Sequence, residues 1–192
     1  MTQKQFADGV LYTQKLYVDN GNKPHRAFIL QLDPKKVTLH YGTSQDSYTL
    51  IPEIRQNIQE HMQASVANGY DVLAAVNGDF FAISSDYHPF GVTVKNGQLL
   101  GAERSDLPYT AVTKDNKFII VTESEEQLDT SNLQNAFGAR NILLKDGEFL
   151  ITKVSSVMGD EQHPRTIAGI TQDGQLLLVV IDGRQPNWSN VN

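Results

Sequence analysis

The chain has 192 residues, 40% hydrophobic and 20% charged, with a formal net charge of −6. That length suits one domain, and that composition a folded globular protein rather than a disordered one. The negative charge argues against a nucleic-acid partner, the lack of cysteine removes disulfides and thiolate metal sites, and no run approaches the roughly 20 apolar residues of a membrane helix.

Residues 10–18 and 27–32 have the apolar pattern and length of strands, separated by the turn-forming run Asp19-Asn20-Gly21-Asn22-Lys23-Pro24. Residues 37–41 read as a third, shorter strand. Ile51, Ile54, Ile58, Met62 and Val66 recur every three or four positions, which predicts one main helix near 52–68 with that stripe buried. Pro52 suits its first turn and Gly69 its stop. Residues 71–76 then read as a buried strand. After residue 90 hairpins follow: Asn96-Gly97, Asp146-Gly147 and Asp173-Gly174 each lie between a pair of apolar runs, as type I′ turns do. Residues 123–132, with Glu123, Glu125, Glu126 and Asp129, read as a solvated loop or an exposed helical turn. The expected class is α+β, a mostly β mixed sheet with hairpins and one helix, in a single domain over 1–192.

Three segments end apolar runs with chemistry. Val76-Asn77-Gly78-Asp79-Phe80-Phe81 delivers an amide, a carboxylate and two aromatics, though Asn, Gly and Asp are also the commonest turn formers. His163-Pro164-Arg165-Thr166 sets an imidazole two residues from a guanidinium, the makings of an anion clamp, or else of a loop whose Arg165 meets a surface carboxylate. The run Leu176–Ile181 reads as a central strand covered on both faces, ending in Asp182-Gly183-Arg184. Asp-Gly is an ordinary hairpin turn, but here it leads into Arg-Gln-Pro-Asn-Trp rather than a further apolar run, and loops at the ends of rigid strands are where sites are placed. His88, beside Pro89, is a weaker candidate. The other histidines show no ligand spacing, so no metal site and no cofactor is expected.

Taken in order, these segments resemble the phosphodiester glycosidase family, together with Pro89-x-Gly91, Asn96-Gly97, the 135–144 stretch with Asp146-Gly147, and Gly169 with Asp173-Gly174. The resemblance runs from about Gly9 onward and includes bacterial proteins with exopolysaccharide-related names. It implies hydrolysis of a sugar–phosphate diester at the anomeric carbon, and a phosphate-carrying small molecule or glycan as the partner. The carboxylate is then Asp182 or Asp79, with His163, Arg165 and Arg184 on the phosphate side. Gly183 belongs with the phosphate-binding residues and Asn77 orients substrate. All of these are expected to converge on one concave, anion-preferring site. The alternatives are a non-catalytic glycan-binding or phage or envelope structural module, and a domain in which these residues only cap strands.

The family pattern continues past Asp-Gly-Arg with a helix and a Gly-rich, Asp-containing strand, whereas this chain stops at Asn192. A truncated domain is therefore expected, with an unpaired strand edge and a tendency to form homo-oligomers. Met1 to Phe6 carry no apolar leader. The residues alone leave the cytoplasm open, and equally an extracytoplasmic location with a leader lying outside this chain. The resemblance implies the second.

Overall fold

A computed structural model describes residues 1–51, 53–122, 128–150, 163–185 and 187–189. In chain order the elements begin with strands β1 (Thr2–Ala7), β2 (Val10–Val18) and β3 (Pro24–Leu32). A 3-10 turn at Ser44–Asp46 and helix α1 (Ile58–Ala67) follow. Next come β4 (Thr93–Lys95), β5 (Gln98–Gly101), β6 (Tyr109–Thr113), β7 (Phe118–Val121) and β8 (Leu133–Gly138). Two short strands, β9 (Leu144–Lys145) and β10 (Glu148–Phe149), precede β11 (Arg165–Ile170) and β12 (Leu176–Ile181). The mostly β class is as expected, but every described strand pair is antiparallel, where a mixed sheet was predicted. Met1–Val37 with Ile142–Asn192 form one compact unit and Thr38–Asn141 a second.

The first unit is a sheet of order β1-β2-β3-β12-β11, with β9 and β10 as a separate hairpin. Val10, Leu32 and Leu176 stand opposite one another across three strands and are all buried. Cross-strand apolar rows of this kind fix register, because a slip of one residue would turn every side chain to the other face. β12 is central, as its apolar run predicts, but only Leu176 and Leu178 are buried. Leu176 and Leu178 share a dry stretch of one face and the other four positions are half-buried, so an unbroken apolar run does not by itself report two covered faces.

The second unit is a sheet of order β5-β4-β8-β6-β7 around a core of Val92, Val94, Tyr109, Ala111, Leu133 and Ala136. Residues 37–41 and 71–76 form no strand, contrary to expectation. Neither pairs with a described strand, and Ala74 and Ala75 are exposed; small side chains bury too little area to hold a strand without a ladder. The helix begins at Ile58, later than predicted, because Asn57 caps it. Its side chain accepts the N–H groups of Gln59 and Glu60 at 2.9 and 3.0 Å, while Glu60 accepts the Asn57 N–H at 2.7 Å, a capping box. Pro52 lies outside the described residues. The expected stripe is not the buried one: Ile58 and Val66 are 42% and 54% exposed, whereas Ser65 is buried. His61 donates from Nδ1 to the Thr43 carbonyl at 2.9 Å, so the helix turns this more polar face to the 3-10 turn.

Beneath that turn lies an ionic group that the sequence does not announce. Lys95, wholly buried, donates to Asp46 and, at 3.2 Å, to the Thr43 hydroxyl, while His40 Nε2 meets Asp46 at 2.8 Å. Charges taken out of water persist when paired and hydrogen-bonded like this.

The turns divide by chemistry. Asn96-Gly97 and Asp146-Gly147 have positive φ at both residues, as type I′ requires. Asp173-Gly174 differs, since only Gly174 has positive φ. There Thr171 and Gln175 close a longer loop, with Gly174 N–H donating to Thr171 O at 2.9 Å and Thr171 N–H to Gln175 O at 3.0 Å. Asp115-Asn116, between β6 and β7, repeats it, with Asn116 at positive φ and both threonine hydroxyls donating to the aspartate two residues on at 2.5 Å. In the polar 123–132 segment, residues 123–127 lie outside the described residues.

Candidate active site

In the first unit, register alone gathers most of the candidates. Arg165 of β11 pairs with Ile181 of β12, so His163 and Pro164 enter where Asp182, Gly183 and Arg184 leave. Arg184, at positive φ, donates from Nε to His163 Nδ1 at 2.7 Å. An imidazole nitrogen that accepts a bond is unprotonated, so in this arrangement the ring proton sits on Nε2 and points away from Arg184. Gly183 is buried, and a Cβ there would stand 2.5 Å from the His163 carbonyl carbon and the Pro164 nitrogen. Only glycine lets the two chains approach so closely. Arg165 donates from Nη1 to the Pro164 carbonyl at 3.1 Å.

Asp182 is held on three sides. Its N–H donates to the Arg26 carbonyl at 3.1 Å, and its own carbonyl accepts the Ser189 hydroxyl at 2.8 Å. Ser189 is fully buried and also accepts the Arg26 N–H at 2.9 Å, so one hydroxyl ties the loop to β3. The carboxylate oxygen Oδ2 accepts the Trp188 indole N–H at 3.3 Å. Sequence reasoning missed Arg26 and Ser189. The only route to Arg26 is the pairing of Ala27 with Ile181, a long-range register that no local pattern reveals.

Asn77 and Asp79 belong to the second unit. Asp79 Oδ2 accepts the Gly91 N–H at 2.6 Å. A Cβ on Gly91 would stand 2.8 Å from that oxygen and 2.5 Å from the Gly138 Cα, and one on Gly138 would also strike the carboxylate. Two glycines thus admit a half-buried carboxylate between β8 and the segment leading to β4. Burial is the main influence on its pKa and pushes it above the usual carboxylate value, against the Gly91 and Phe80 N–H groups and the Arg140 charge. Tyr41 is pushed up to about 12, by burial first, with Thr93 opposing and the Asp79 charge adding to the rise. The Arg140 guanidinium lies 5.8 Å from the Phe80 ring centre. Asn77 is exposed, next to Gly78. The Asp79 loop folds back on itself, with Phe90 N–H donating to Phe80 O and Ala82 N–H to His88 O at 2.9 and 3.0 Å. His88 is held between the carboxylates of Asp86 and Glu103, which, Asp86 foremost, raise its pKa. Among the described residues no group of three or more His, Asp or Glu is placed to hold a metal ion.

Fold and site define a mostly β, antiparallel protein that sets a carboxylate and a guanidinium group, Asp182 and Arg184, at a glycine-bearing strand end. Residues 70–192 match the phosphodiester glycosidase family, and the chain belongs to it. The catalytic domain of zebrafish N-acetylglucosamine-1-phosphodiester alpha-N-acetylglucosaminidase, described as auto-inhibited by its pro-peptide, superposes with a TM-score of 0.69 at 18% identity, over 94% of this chain and 62% of that one. A hypothetical protein from Synechocystis superposes with a TM-score of 0.60 at 9% identity, over 98% of this chain and 54% of that one. At such identities the likeness is one of fold. The chain thus spans between about half and two thirds of the length of these solved relatives. No curated protein sequence matches it.

Proposed function

We propose that the protein hydrolyses a sugar–phosphate diester at the anomeric carbon, releasing the sugar and a phosphomonoester, in the handling of an extracytoplasmic polysaccharide. Family membership supports the reaction class. The observation that carries the reading is the Arg184–His163 bond across the paired ends of β11 and β12, beside Asp182. Cleavage breaks the bond from C1 to the phosphate oxygen while water adds its hydroxyl to C1. The sugar becomes oxocarbenium-like on the way, and the Asp182 carboxylate stabilises that charge or takes the proton of the incoming water. The departing phosphate carries the growing negative charge. Arg184, Arg165 and the Nε2–H of His163 supply donors for it, so a strong acid is less necessary than for a simple glycoside.

Asp79, in the second unit, is the alternative to Asp182 as the acting carboxyl, with Asn77 of that unit as an amide that orients substrate. A raised proton affinity suits Asp79 to holding a proton rather than bearing charge. The test is release of sugar and phosphomonoester from a panel of glycosyl phosphodiesters, with Asp182→Ala as control. Turnover of at least one diester that is abolished in Asp182→Ala supports the assignment. If none is turned over but glycans still bind, the protein is a binding module.

A further inference from the structure

Trp188 is the single tryptophan of the chain and is 46% exposed. An indole that served only to fill space would bury its rings, since leaving large apolar area in water costs stability. This one is instead fixed in place at the surface. Its backbone is locked by a bridge between Gln185 and Ser189, with Trp188 N–H donating to Gln185 O at 2.8 Å. The Arg26 guanidinium lies over the ring, 3.0 Å from its centre, and Arg26 Nε donates to the Trp188 carbonyl at 3.3 Å. The indole N–H donates to Asp182 Oδ2 at 3.3 Å. One face is therefore covered by a cation and the polar edge is spent on the carboxylate. Among the described residues no ring or cation other than Arg26 stands over the indole, and its exposure is assigned to the second face.

We propose that this face of Trp188 is the platform on which the sugar ring of the substrate stacks, a reading that rests on Asp182 as the carboxylate of a sugar–phosphate site. A pyranose has one side lined by C–H groups bearing small positive charge, and the face of an aromatic ring is negative, so the two attract while both leave water. The hydroxyls at the sugar's rim keep their contact with solvent. The indole N–H bond ties the platform to Asp182, so a sugar seated there lies beside the group that acts on its anomeric carbon. Arg26 holds the ring from behind. Sugar recognition is thus assigned to Trp188 and phosphate recognition to the arginines.

Since no other tryptophan is present, selectively excited indole emission of the full chain reports on this position alone. Titration with hexose and N-acetylhexosamine 1-phosphates, alongside inorganic phosphate, should give a saturable change in emission for at least one sugar phosphate. Its affinity should be at least about tenfold tighter than that of inorganic phosphate. By calorimetry Trp188→Phe should keep affinity within about threefold, whereas Trp188→Leu, of apolar bulk without a ring face, should lose about tenfold or more. Circular dichroism melts establish that both variants are folded, and the wild-type titration stands without them. The platform is overturned if no sugar phosphate binds at millimolar levels, if saturation leaves the emission unmoved, or if Trp188→Leu binds like wild type. Failure of the hydrolytic reading looks different: sugar phosphates bind through Trp188, yet no diester is cleaved.

Discussion

Asp79 and Asp182 each follow an apolar run in the sequence, but the folded protein holds them by opposite means. Asp182 stands where a regular ladder ends, and its place follows from strand register, a backbone bond to Arg26 and the Ser189 hydroxyl. Asp79 sits in an irregular segment, gripped by a backbone N–H and admitted by two glycines that no other residue could replace. The first carboxylate reaches solvent on a rigid stem, and the second is set into the body of its unit. A carboxylate can thus be positioned from its own strand or by what its neighbours lack. Burial raises the proton affinity of the second, and the two kinds of placement differ in sensitivity to substitution.

The comparison is sharpest in catalysis. If Asp182 acts on the anomeric centre, Asp182→Asn should lower kcat on a glycosyl phosphodiester by about a hundredfold or more, in the range for a lost acid–base group. Asp79→Asn tested beside it separates the two carboxylates: an equal loss would make Asp79 a partner, and near-wild-type kcat would make it structural. Next in size are the glycines. Gly138→Ala and Gly183→Ala each force a methyl into occupied space and should cost about 1–3 kcal/mol or more by urea unfolding. Gly174→Ala is the control, since nothing lies within 4 Å of its Cβ and only its positive φ opposes the change. Equal costs at all three positions would mean that close approach is not what the first two glycines supply.

Much of the Asp182 side could be read from the sequence because its signals are local. Strand β2 follows its apolar pattern, β12 its unbroken run, and the hairpin at Asp146-Gly147 its need for positive φ. The turn at Asp173-Gly174 was visible as a turn but not as a type, since the deciding bond comes from Thr171, outside the dipeptide. The helix was visible too, but its start was set by the side chains of Asn57 and Glu60 rather than by the stripe that drew attention. The Asp79 side was less legible for a physical reason. Gly91 and Gly138 matter through what they exclude, and a sequence shows a glycine without showing the atom it lets in. Ser189 and Arg26 were hidden by distance along the chain.

A smaller effect tests Ser189. Ser189→Ala deprives the Arg26 N–H and the Asp182 carbonyl of a shared buried partner, and should cost about 1–2 kcal/mol by denaturant unfolding. An unchanged midpoint would show that the Arg26–Asp182 backbone bond holds the loop alone. The least effect expected is one of pH. Burial raises the pKa of Asp79 in the folded state above its unfolded value, so the folded state holds that proton more tightly. The associated stability is fully present below the unfolded pKa and is lost as pH rises through the folded one. Asp79→Asn does not ionise and escapes that loss. The difference in Tm between variant and wild type should therefore move in the variant's favour from about pH 3 to about pH 7, bracketing the ordinary aspartate range. A difference that is flat with pH would mean the carboxylate is as well solvated folded as unfolded.

The central pairing of β3 with β12 has a consequence for the order of events at the ribosome. The second unit is one continuous stretch, Thr38–Asn141, whereas the sheet beside Asp182 joins strands from before and after it. During synthesis β1 to β3 emerge early and then wait, with the edge of β3 open, until the whole of the intervening unit has been made. Joining ends so far apart is entropically expensive and slow, and an open apolar edge invites pairing with another chain in the interval. The intervening unit has no such delay and is free to fold first, bringing its Asp79 into place early. The Asp182 cluster is assembled only after β12 has been translated, so a nascent chain passes through a stage in which one carboxylate is housed and the other does not yet exist.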